Sequence, residues 1–295
     1  MPGGADISEV ERVEAVLGRR PVRLSPVEGG YTQARRLLAE LEGGSRAFVK
    51  LAVDELTAGW LRDEYRVYAG VRGSFLPELL GFDDEGELPA LALEDLSGSH
   101  WPRPWPERSV EAVVRALNEL HEVEPPAGVP RIEDFERLFE GWDVVEADPQ
   151  PFLSLGLCSE AWLRRALPVL REAAESAPFP GETLLHLDVR SDNICLRGER
   201  GLLVDWNQAC LGNPDVDLAS WVSSLRAEGG PEPWEVLPGQ PELAAWVAGF
   251  FAARAGLPPP PTADPSVRPL QLAQLDVALP WAARELGLAS LDSRR

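Results

Sequence analysis

Apolar residues recur at helical spacing near the start of the chain and alternate in the segments that follow. Ile7, Val10, Val13 and Leu17 share one face and predict an amphipathic helix that ends at Gly18. From Val22 onward the alternation is typical of β-strands, with one helical segment inserted. The first predicted strand begins at Val22, and the later strands cover 33–41, 46–51, 77–82 and 88–93. The inserted helix covers 54–71.

The second half of the chain shows mainly helical periodicity. A short hairpin interrupts it, because apolar residues flank the glycine turn at 198–201. We expect a breaker at 147–151 and a loop at 257–269, and Pro280 is a candidate kink in the last helix. The predicted helices cover 107–123, 135–145, 158–177, 218–225, 242–255 and 270–286.

This order of elements predicts an α+β protein with two lobes. Residues 1–93 would form a small N-terminal lobe with an antiparallel sheet and one helix. Residues 94–98 form a polar crossing with a glycine, which we interpret as a hinge. Residues 99–295 would form a larger, mainly helical lobe.

Composition and charge narrow the class of function. The chain has 295 residues, 44% of them hydrophobic, and a formal net charge of −20. Non-specific nucleic-acid binding and anionic membrane surfaces both need a basic face, so we expect neither partner. The acidity suits a cationic small-molecule substrate, but it also serves solubility.

Cysteine usage and apolar runs bear on location. Cys158, Cys195 and Cys210 form no C-x-x-C pair and no even framework, which predicts a reduced, cytoplasmic setting. The first twenty residues lack the apolar core of a signal peptide, and no apolar run approaches the length of a membrane span.

The candidate chemistry is concentrated between Leu184 and Trp206. Asp188 follows one short apolar run, Asn193 opens the predicted hairpin and Asp205 ends it, so the hairpin would bring Asn193 close to Asp205. A carboxylate can orient a hydroxyl nucleophile and accept its proton, while an amide oxygen and a second carboxylate suit Mg²⁺ on nucleotide phosphates. This arrangement favours phosphoryl transfer over a hairpin with incidental polar residues.

Lys50 and Glu64 form a second candidate pair. Lys50 ends an apolar strand, and Glu64 falls within the apolar stripe of the following helix. A carboxylate in such a stripe requires a cationic partner, and Lys50 is the natural one. Alternatively, Lys50 is a strand-end lysine that extends to solvent.

A glycine turn and the hinge supply candidate nucleotide contacts. Gly29, Gly30, Tyr31 and Thr32 lie between the first two strands, where backbone N–H groups could approach phosphates, although a hairpin turn needs glycine in any case. At the hinge, backbone groups of the 94–98 segment could pair with a nucleotide base.

The segments HLDVRSDN, VDW and NPDVDLA together resemble the aminoglycoside phosphotransferase-like branch of the protein-kinase-like superfamily. That branch also holds choline, homoserine, fructosamine and methylthioribose kinases. The resemblance extends from about Val22 to Leu225 and implies a protein-kinase-like two-lobe fold. It also implies a small-molecule kinase that uses Mg²⁺ with ATP or GTP.

The resemblance assigns roles to individual residues. Asp188 would be the catalytic base, and Asn193 and Asp205 would bind Mg²⁺. Lys50 would contact the α and β phosphates and pair with Glu64. The remaining assignments are a phosphate-covering turn at Gly29, Gly30, Tyr31 and Thr32, a base-binding hinge at Glu94, Asp95 and Leu96, and Asp217 as support for the loop.

Two positions depart from the family pattern. Leu187 stands where the family often has glycine, and Asn207 stands where an acidic residue often follows the metal-binding Asp and Trp. Neither departure removes a ligand, but both weaken any transfer of substrate identity.

The main hypothesis is therefore transfer of the γ-phosphoryl group to a small-molecule hydroxyl, with an aminoglycoside, another amino sugar or a natural product as acceptor. The alternative is a catalytically silent, nucleotide-binding pseudokinase. A protein kinase is disfavoured because 205–217 is short for an activation segment. Acidic residues that could line a cleft for a cationic acceptor, or simply form a solvated face, are Glu133, Asp134, Glu136, Glu140, Asp143, Glu146 and Asp148.

Overall fold

The computed structural model describes residues 7–27, 34–259 and 265–292. The chain divides into two compact units. The first unit comprises Met1–Pro102, Glu111–Val129 and Asp192–Ala209, and the second comprises Arg103–Val110, Pro130–Ser191 and Cys210–Arg295. These units are defined by compactness, so the division into lobes at 94–98 stays a prediction.

A five-stranded antiparallel sheet forms the framework of the first unit, and the fourth strand along the chain lies at its edge, beyond the fifth. One face buries Val13 of the first helix against apolar residues such as Leu37 and Val49. The elements are α1 (Ile7–Leu17), β1 (Arg23–Pro26), β2 (Arg35–Glu40), β3 (Arg46–Leu51), α2 (Glu55–Gly70), β4 (Leu79–Asp83) and β5 (Ala90–Glu94).

The inserted helix α2 begins where the sequence predicts it, because Asp54 caps it. The Asp54 carboxylate accepts the Thr57 N–H at 2.8 Å, and the Thr57 hydroxyl accepts the Asp54 N–H in return. The alternation on β3 is also confirmed, since Val49 and Leu51 are fully buried. The first unit also contains the hairpin of β7 (Ile194–Arg197) and β8 (Arg200–Leu203), as well as most of α3 (Glu107–His121).

Helices packed around α9 (Pro241–Ala255) form the core of the second unit. This helix is apolar on all sides and buries residues such as Leu243, Ala248 and Ala252. The other elements are α4 (Gly141–Ala147), α5 (Gln150–Leu153), α6 (Glu160–Glu175), β6 (Thr183–Leu185), β9 (Cys210–Gly212), α7 (Asp215–Ala227), α8 (Pro233–Val236) and α10 (Val267–Glu285).

The continuous helix predicted over 135–145 is wrong. Two single turns of 3₁₀ helix, Ile132–Asp134 and Glu136–Leu138, precede α4 instead. The Leu138 carbonyl accepts the indole N–H of Trp246 at 2.8 Å, so it is directed toward α9 rather than along its own segment. Tertiary hydrogen bonding therefore overrides the helical periodicity here.

Several other boundaries differ by a few residues. Helix α4 ends at Ala147 and α5 begins at Gln150, so the predicted breaker at 147–151 is confirmed, although α5 starts inside it. Helix α10 starts at Val267, within the predicted loop. Helix α10 continues through Pro280 without ending there. All three cysteines are buried and carry free thiols. Within the described ranges, no helix is long and apolar enough to cross a membrane.

Candidate active site

A cavity of about 420 Å³ lies within the first unit, between the sheet and the β7–β8 hairpin. Its polar walls carry Lys50, Asn193 and Asp205, which the sequence singles out from three separate segments. Strand β3 supplies both Lys50 and Phe48, which line the cavity on the face opposite to the buried Val49. The fold thus brings together the residues that the sequence predicts for phosphate and metal.

Lys50 is the centre of the polar cluster. Its Nζ donates to both carboxylate oxygens of Glu64 at 2.8 and 2.9 Å, which confirms the predicted pair. It also donates to Oδ1 of Asp205 at 2.8 Å. Lys50 and Glu64 are almost fully buried, at 6% and 2% exposure. The alternative that Lys50 extends to solvent is therefore wrong.

Burial and charge set the protonation of this cluster. Burial raises the pKa of Glu64 to about 7, although the Lys50 charge acts in the other direction. Burial also acts to raise the pKa of Asp205, but the Lys50 charge outweighs it and the pKa falls to about 2. Burial would lower the pKa of Lys50, and the two carboxylates raise it instead. Burial thus favours the protonated form of Glu64, while the Lys50 charge favours the ionised form of Asp205.

The β7–β8 hairpin places Asn193 and Asp205 at the same end of two paired strands. Ile194 pairs with Leu203, and the Val204 N–H donates to the Asn193 carbonyl at 2.9 Å. The predicted proximity of the two metal-ligand candidates is thereby confirmed at the level of strand register. Asn193 is 4% exposed and lines the cavity with Asp205.

The backbone at Asp205 is strained. Its φ of +70° lies in the left-handed region, which non-glycine residues seldom adopt. The following Trp206 is fully buried, donates its indole N–H to the Leu203 carbonyl at 3.1 Å and packs against Phe75. Such strain persists where the surroundings hold it, and it is a mark of functional sites.

The oxygen donors in the cavity fit a hard divalent cation. Asn193 offers an amide oxygen and Asp205 a carboxylate, the ligand types that Mg²⁺ takes together with phosphate oxygens and water. Among the described residues, no group of three or more His, Cys, Asp or Glu side chains could hold a metal by itself. The two oxygen donors suit a metal that phosphate oxygens and water would also coordinate.

The predicted hinge residues Glu94, Asp95 and Leu96 line the same cavity. Neighbouring groups already engage the two carboxylates: Glu94 pairs with Arg197 at 2.8 Å, and Asp95 pairs with Arg46 at 2.7 Å. A base at this edge would therefore be contacted by backbone groups and apolar side chains. The predicted turn at Gly29, Gly30, Tyr31 and Thr32 lies outside the described residues.

The structure adds cavity residues that the sequence did not single out. Arg36 on β2 lies directly opposite Lys50 in the strand register, and it lines the cavity. Its charge contributes to the low pKa of Asp205. Asp192 and the half-exposed Trp101 also line the cavity. The β2–β3 register was the signal that could have revealed Arg36.

The loop that carries Asp188 belongs to the second unit, where β6 pairs with β9. Asp217 is fully buried, and its carboxylate accepts the N–H groups of His186 at 3.0 Å and Leu187 at 2.7 Å. The predicted support of the loop by Asp217 is therefore confirmed. Leu187 has a φ of +64°, the conformation that glycine adopts most easily.

Asp188 itself is about one-third exposed and has a cationic neighbour that the sequence did not single out. Arg190 Nη1 lies 3.5 Å from Asp188 Oδ1, within the same loop. The Asp188 N–H donates to His186 Nδ1 at 3.3 Å, so the loop also bonds within itself. Only one residue separates Arg190 from Asp188 in the sequence, and this spacing was the signal that could have indicated their contact.

The fold and this polar cluster fit a phosphotransferase. A family model for the phosphotransferase enzyme family matches residues 23–270, and the chain belongs to that family. The chain is therefore a phosphotransferase enzyme. Among curated proteins, none matches the chain significantly.

Solved structures with the same fold have low sequence identity to the chain. A thermostable mutant of the aminoglycoside phosphotransferase APH(4)-Ia, in its apo form, is 18% identical, covers 94% of this chain and 97% of its own, and has a TM-score of 0.56. The spectinomycin phosphotransferase APH(9)-Ia, in complex with ADP and spectinomycin, is 13% identical, covers 94% of this chain and 98% of its own, and has a TM-score of 0.59. A choline/ethanolamine kinase family protein from Mesorhizobium loti is 16% identical, covers 96% of this chain and 98% of its own, and has a TM-score of 0.57.

Proposed function

We propose that this enzyme transfers the γ-phosphoryl group of ATP or GTP to a hydroxyl group of a small molecule. The observation that carries the proposal is the buried Lys50, bonded to Glu64 and Asp205 at the edge of a cavity shared with Asn193. Taking a lysine and two carboxylates out of water costs desolvation free energy, which favours a functional role for the cluster. Binding of nucleotide phosphates is a role that uses the positive charge of Lys50.

The residues act through position and charge. Lys50, held by Glu64, would bind the α and β phosphates, and Arg36 would add a second positive charge from the neighbouring strand. Asn193 and Asp205 would hold Mg²⁺, which neutralises phosphate charge when bound. In-line transfer needs such positioning and electrostatic stabilisation more than covalent help.

Asp188 would orient the acceptor hydroxyl and take its proton as the oxygen attacks the γ-phosphorus. The bond between the γ-phosphorus and its bridging oxygen breaks, and the nucleoside diphosphate leaves with that oxygen. Asp217 holds the loop through the N–H groups of His186 and Leu187. Lys50 and Glu64 thus serve the donor, and Asp188 serves the acceptor.

We further propose a cationic amino sugar, such as an aminoglycoside, or another hydroxylated natural product as acceptor. The net charge of −20 supports a cationic acceptor. Two acidic candidates are engaged elsewhere, because Asp143 and Glu146 both pair with Arg171 at 2.7 and 2.6 Å. The buried free thiols and the nucleotide donor support a cytoplasmic setting.

The catalytically silent alternative gains no support. The family is one of enzymes, and Lys50, Glu64, Asn193 and Asp205 are all present in one cavity region with the expected chemistry. Asp188 is present in its loop as well.

Nucleoside diphosphate release tests the proposal. The enzyme is incubated with Mg²⁺ and ATP or GTP against amino sugars, amino alcohols and neutral hydroxylated compounds, and products are checked by mass for one added phosphoryl group. We expect at least one acceptor to be phosphorylated, and Asp188→Asn to lower its turnover by about 100-fold or more. Phosphorylation at the wild-type rate by Asp188→Asn would refute the assignment of Asp188.

A further inference from the structure

The loop that carries Asp188 has a second point of attachment, at Ser191. The Ser191 side chain is 5% exposed, and its hydroxyl donates to Glu228 Oε1 at 2.7 Å. The same hydroxyl accepts from Nε and Nη2 of Arg103, at 3.0 and 2.8 Å. Ser191 therefore ties the loop to two segments that are distant from it in sequence.

The side chain of Glu228 also has several polar contacts. It follows the last turn of α7, and its side chain is largely buried. Oε1 accepts from Ser191 and pairs with Arg103, while Oε2 accepts the indole N–H of Trp105 at 2.8 Å. Trp105 in turn packs edge-on against Trp221 of α7, with ring centroids 5.4 Å apart. Both carboxylate oxygens of Glu228 thus accept hydrogen bonds within the cluster.

Helix stability alone does not explain a carboxylate at this place. The C-terminal end of a helix carries partial negative charge, which disfavours a carboxylate. The donors from Ser191, Arg103 and Trp105 offset that effect. The cluster therefore stabilises Glu228 where its own helix would not.

Helix α7 consequently holds the loop at both ends. Asp217, in its first turn, accepts the N–H groups of His186 and Leu187. Glu228, just past its last turn, accepts from Ser191. Asp188 lies between these two attachments. A loop fixed at both ends by one rigid element leaves the intervening side chain little freedom.

We propose that Ser191, Glu228 and Arg103 form a positioning cluster that fixes Asp188 for phosphoryl transfer. The inference rests on the proposed function, since it gives the cluster its purpose through Asp188. A small displacement of a catalytic group lowers the rate of the chemical step more than it weakens binding of a substrate elsewhere. The cluster should therefore act on kcat and leave the KM for the nucleotide nearly unchanged.

Kinetics and amide hydrogen exchange of four variants test this inference. Ser191→Ala and Glu228→Gln break the cluster, and Ser191→Thr keeps the hydroxyl. Glu232→Gln is the matched control, because it removes a carboxylate that pairs with Arg226 at 2.9 Å near the same end of α7. The activity probe is Mg²⁺-dependent hydrolysis of ATP, with water in place of the acceptor hydroxyl. Exchange is followed in peptides that cover residues 187–193.

We expect Ser191→Ala and Glu228→Gln to lower kcat by about 10- to 100-fold and to change the KM for ATP by less than about twofold. Exchange should become faster in peptides covering 187–193 and stay unchanged in α9, while Ser191→Thr and Glu232→Gln should resemble wild type. A purely structural role would instead lower the thermal midpoint without this split between kcat and KM.

Different outcomes separate this inference from the proposed function. Wild-type kcat in Ser191→Ala, together with an inactive Asp188→Asn, would overturn the positioning cluster alone. Wild-type kcat in Asp188→Asn would overturn the proposed role of Asp188 and this inference with it. Unchanged exchange in residues 187–193 of Ser191→Ala would overturn the inference whatever the kinetics show.

Discussion

Lys50 is the shared partner of two carboxylates, Glu64 and Asp205. Replacing it in Lys50→Met leaves both carboxylates close together without a cation. We expect the free energy of unfolding, measured by urea denaturation, to fall by about 3 kcal/mol, as when one partner of a buried pair is lost. The double variant Lys50→Met/Glu64→Leu removes one of the carboxylates and should recover much of that loss. Equal stability of Lys50→Met and wild type would show that the cluster contributes little.

Glu64 gives the fold a pH dependence of a defined sign. Its pKa is raised from 4.5 to about 7 by burial, so between these values the folded protein holds a proton that the unfolded chain lacks. The stability that Glu64 contributes is fully present below pH 4.5 and is lost as the pH rises through about 7. The pKa of Asp205 is lowered from 3.8 to about 2, so the stability that Asp205 contributes is lost only in more acidic solution, as the pH falls toward about 2.

We therefore expect wild type to lose free energy of unfolding from pH 5 to pH 8 relative to Glu64→Gln, by an amount on the order of 2 kcal/mol. Urea denaturation of both proteins at the two pH values measures the difference. Parallel pH profiles would contradict the raised pKa. The comparison isolates one carboxyl group because the variant keeps the size of the side chain.

The sequence predicts the site well where its residues are close along the chain. Lys50 and Glu64 lie on consecutive elements, and the hairpin sets the register of Asn193 and Asp205, so both proximities follow from local patterns. The bond from Lys50 to Asp205 joins residues 155 positions apart and could not be derived locally. The Ser191–Glu228 contact and the Arg36 side chain depend likewise on tertiary packing and strand register.

At the scale of elements, α4 and α9 meet at two glycines. A Cβ on Gly141 would lie 2.7 Å from the backbone carbonyl carbon of Gly249, too close for the helices to stay in place. We expect Gly141→Ala to lower the free energy of unfolding by about 1–3 kcal/mol, as overpacking does. The measurement is the urea midpoint at constant m-value.

Gly59→Ala is the matched control for that substitution. Gly59 also lies within a helix, α2, but a Cβ there would meet no heavy atom within 4 Å. Since alanine is the better helix former, we expect this variant to gain about 0.5–1 kcal/mol. If both alanines raised the free energy of unfolding, helix propensity and not the close approach of α4 and α9 would decide the effect.

Periodicity predicts elements well where packing agrees with it. Helix α1 matches its predicted bounds, and Asp54 starts α2 through a local cap. The segment over 135–145 shows helical spacing as well, yet its carbonyls at Arg137 and Leu138 accept from α9 side chains. The short strands β6 and β9 have too few residues to show a period of their own, although together they carry the Asp188 loop.

At the scale of the whole molecule, the two compact units hold different parts of the proposed machinery. The first contains Lys50, Glu64, Asn193 and Asp205, and the second contains Asp188 with its supports. Nucleotide binding and transfer should therefore be separable by mutation. We expect Asp188→Asn to bind Mg²⁺ and ATP with about wild-type affinity, as measured by calorimetry, while phosphoryl transfer is lost. Weakened nucleotide binding in this variant would argue against the division.

Thermal unfolding with and without Mg²⁺ and either ATP or GTP tests the nucleotide site most directly. The proteins are wild type, Asp205→Asn and the control Asp63→Asn, whose carboxylate is half exposed and pairs with Arg66 on α2. A ligand that binds the folded state alone adds about 2.7 kcal/mol at a hundredfold excess over its Kd, which raises Tm by about 5 °C. We expect a metal-dependent rise in wild type and Asp63→Asn that is lost in Asp205→Asn. No rise with ATP or GTP in wild type, or an equal rise in Asp205→Asn, would contradict this expectation.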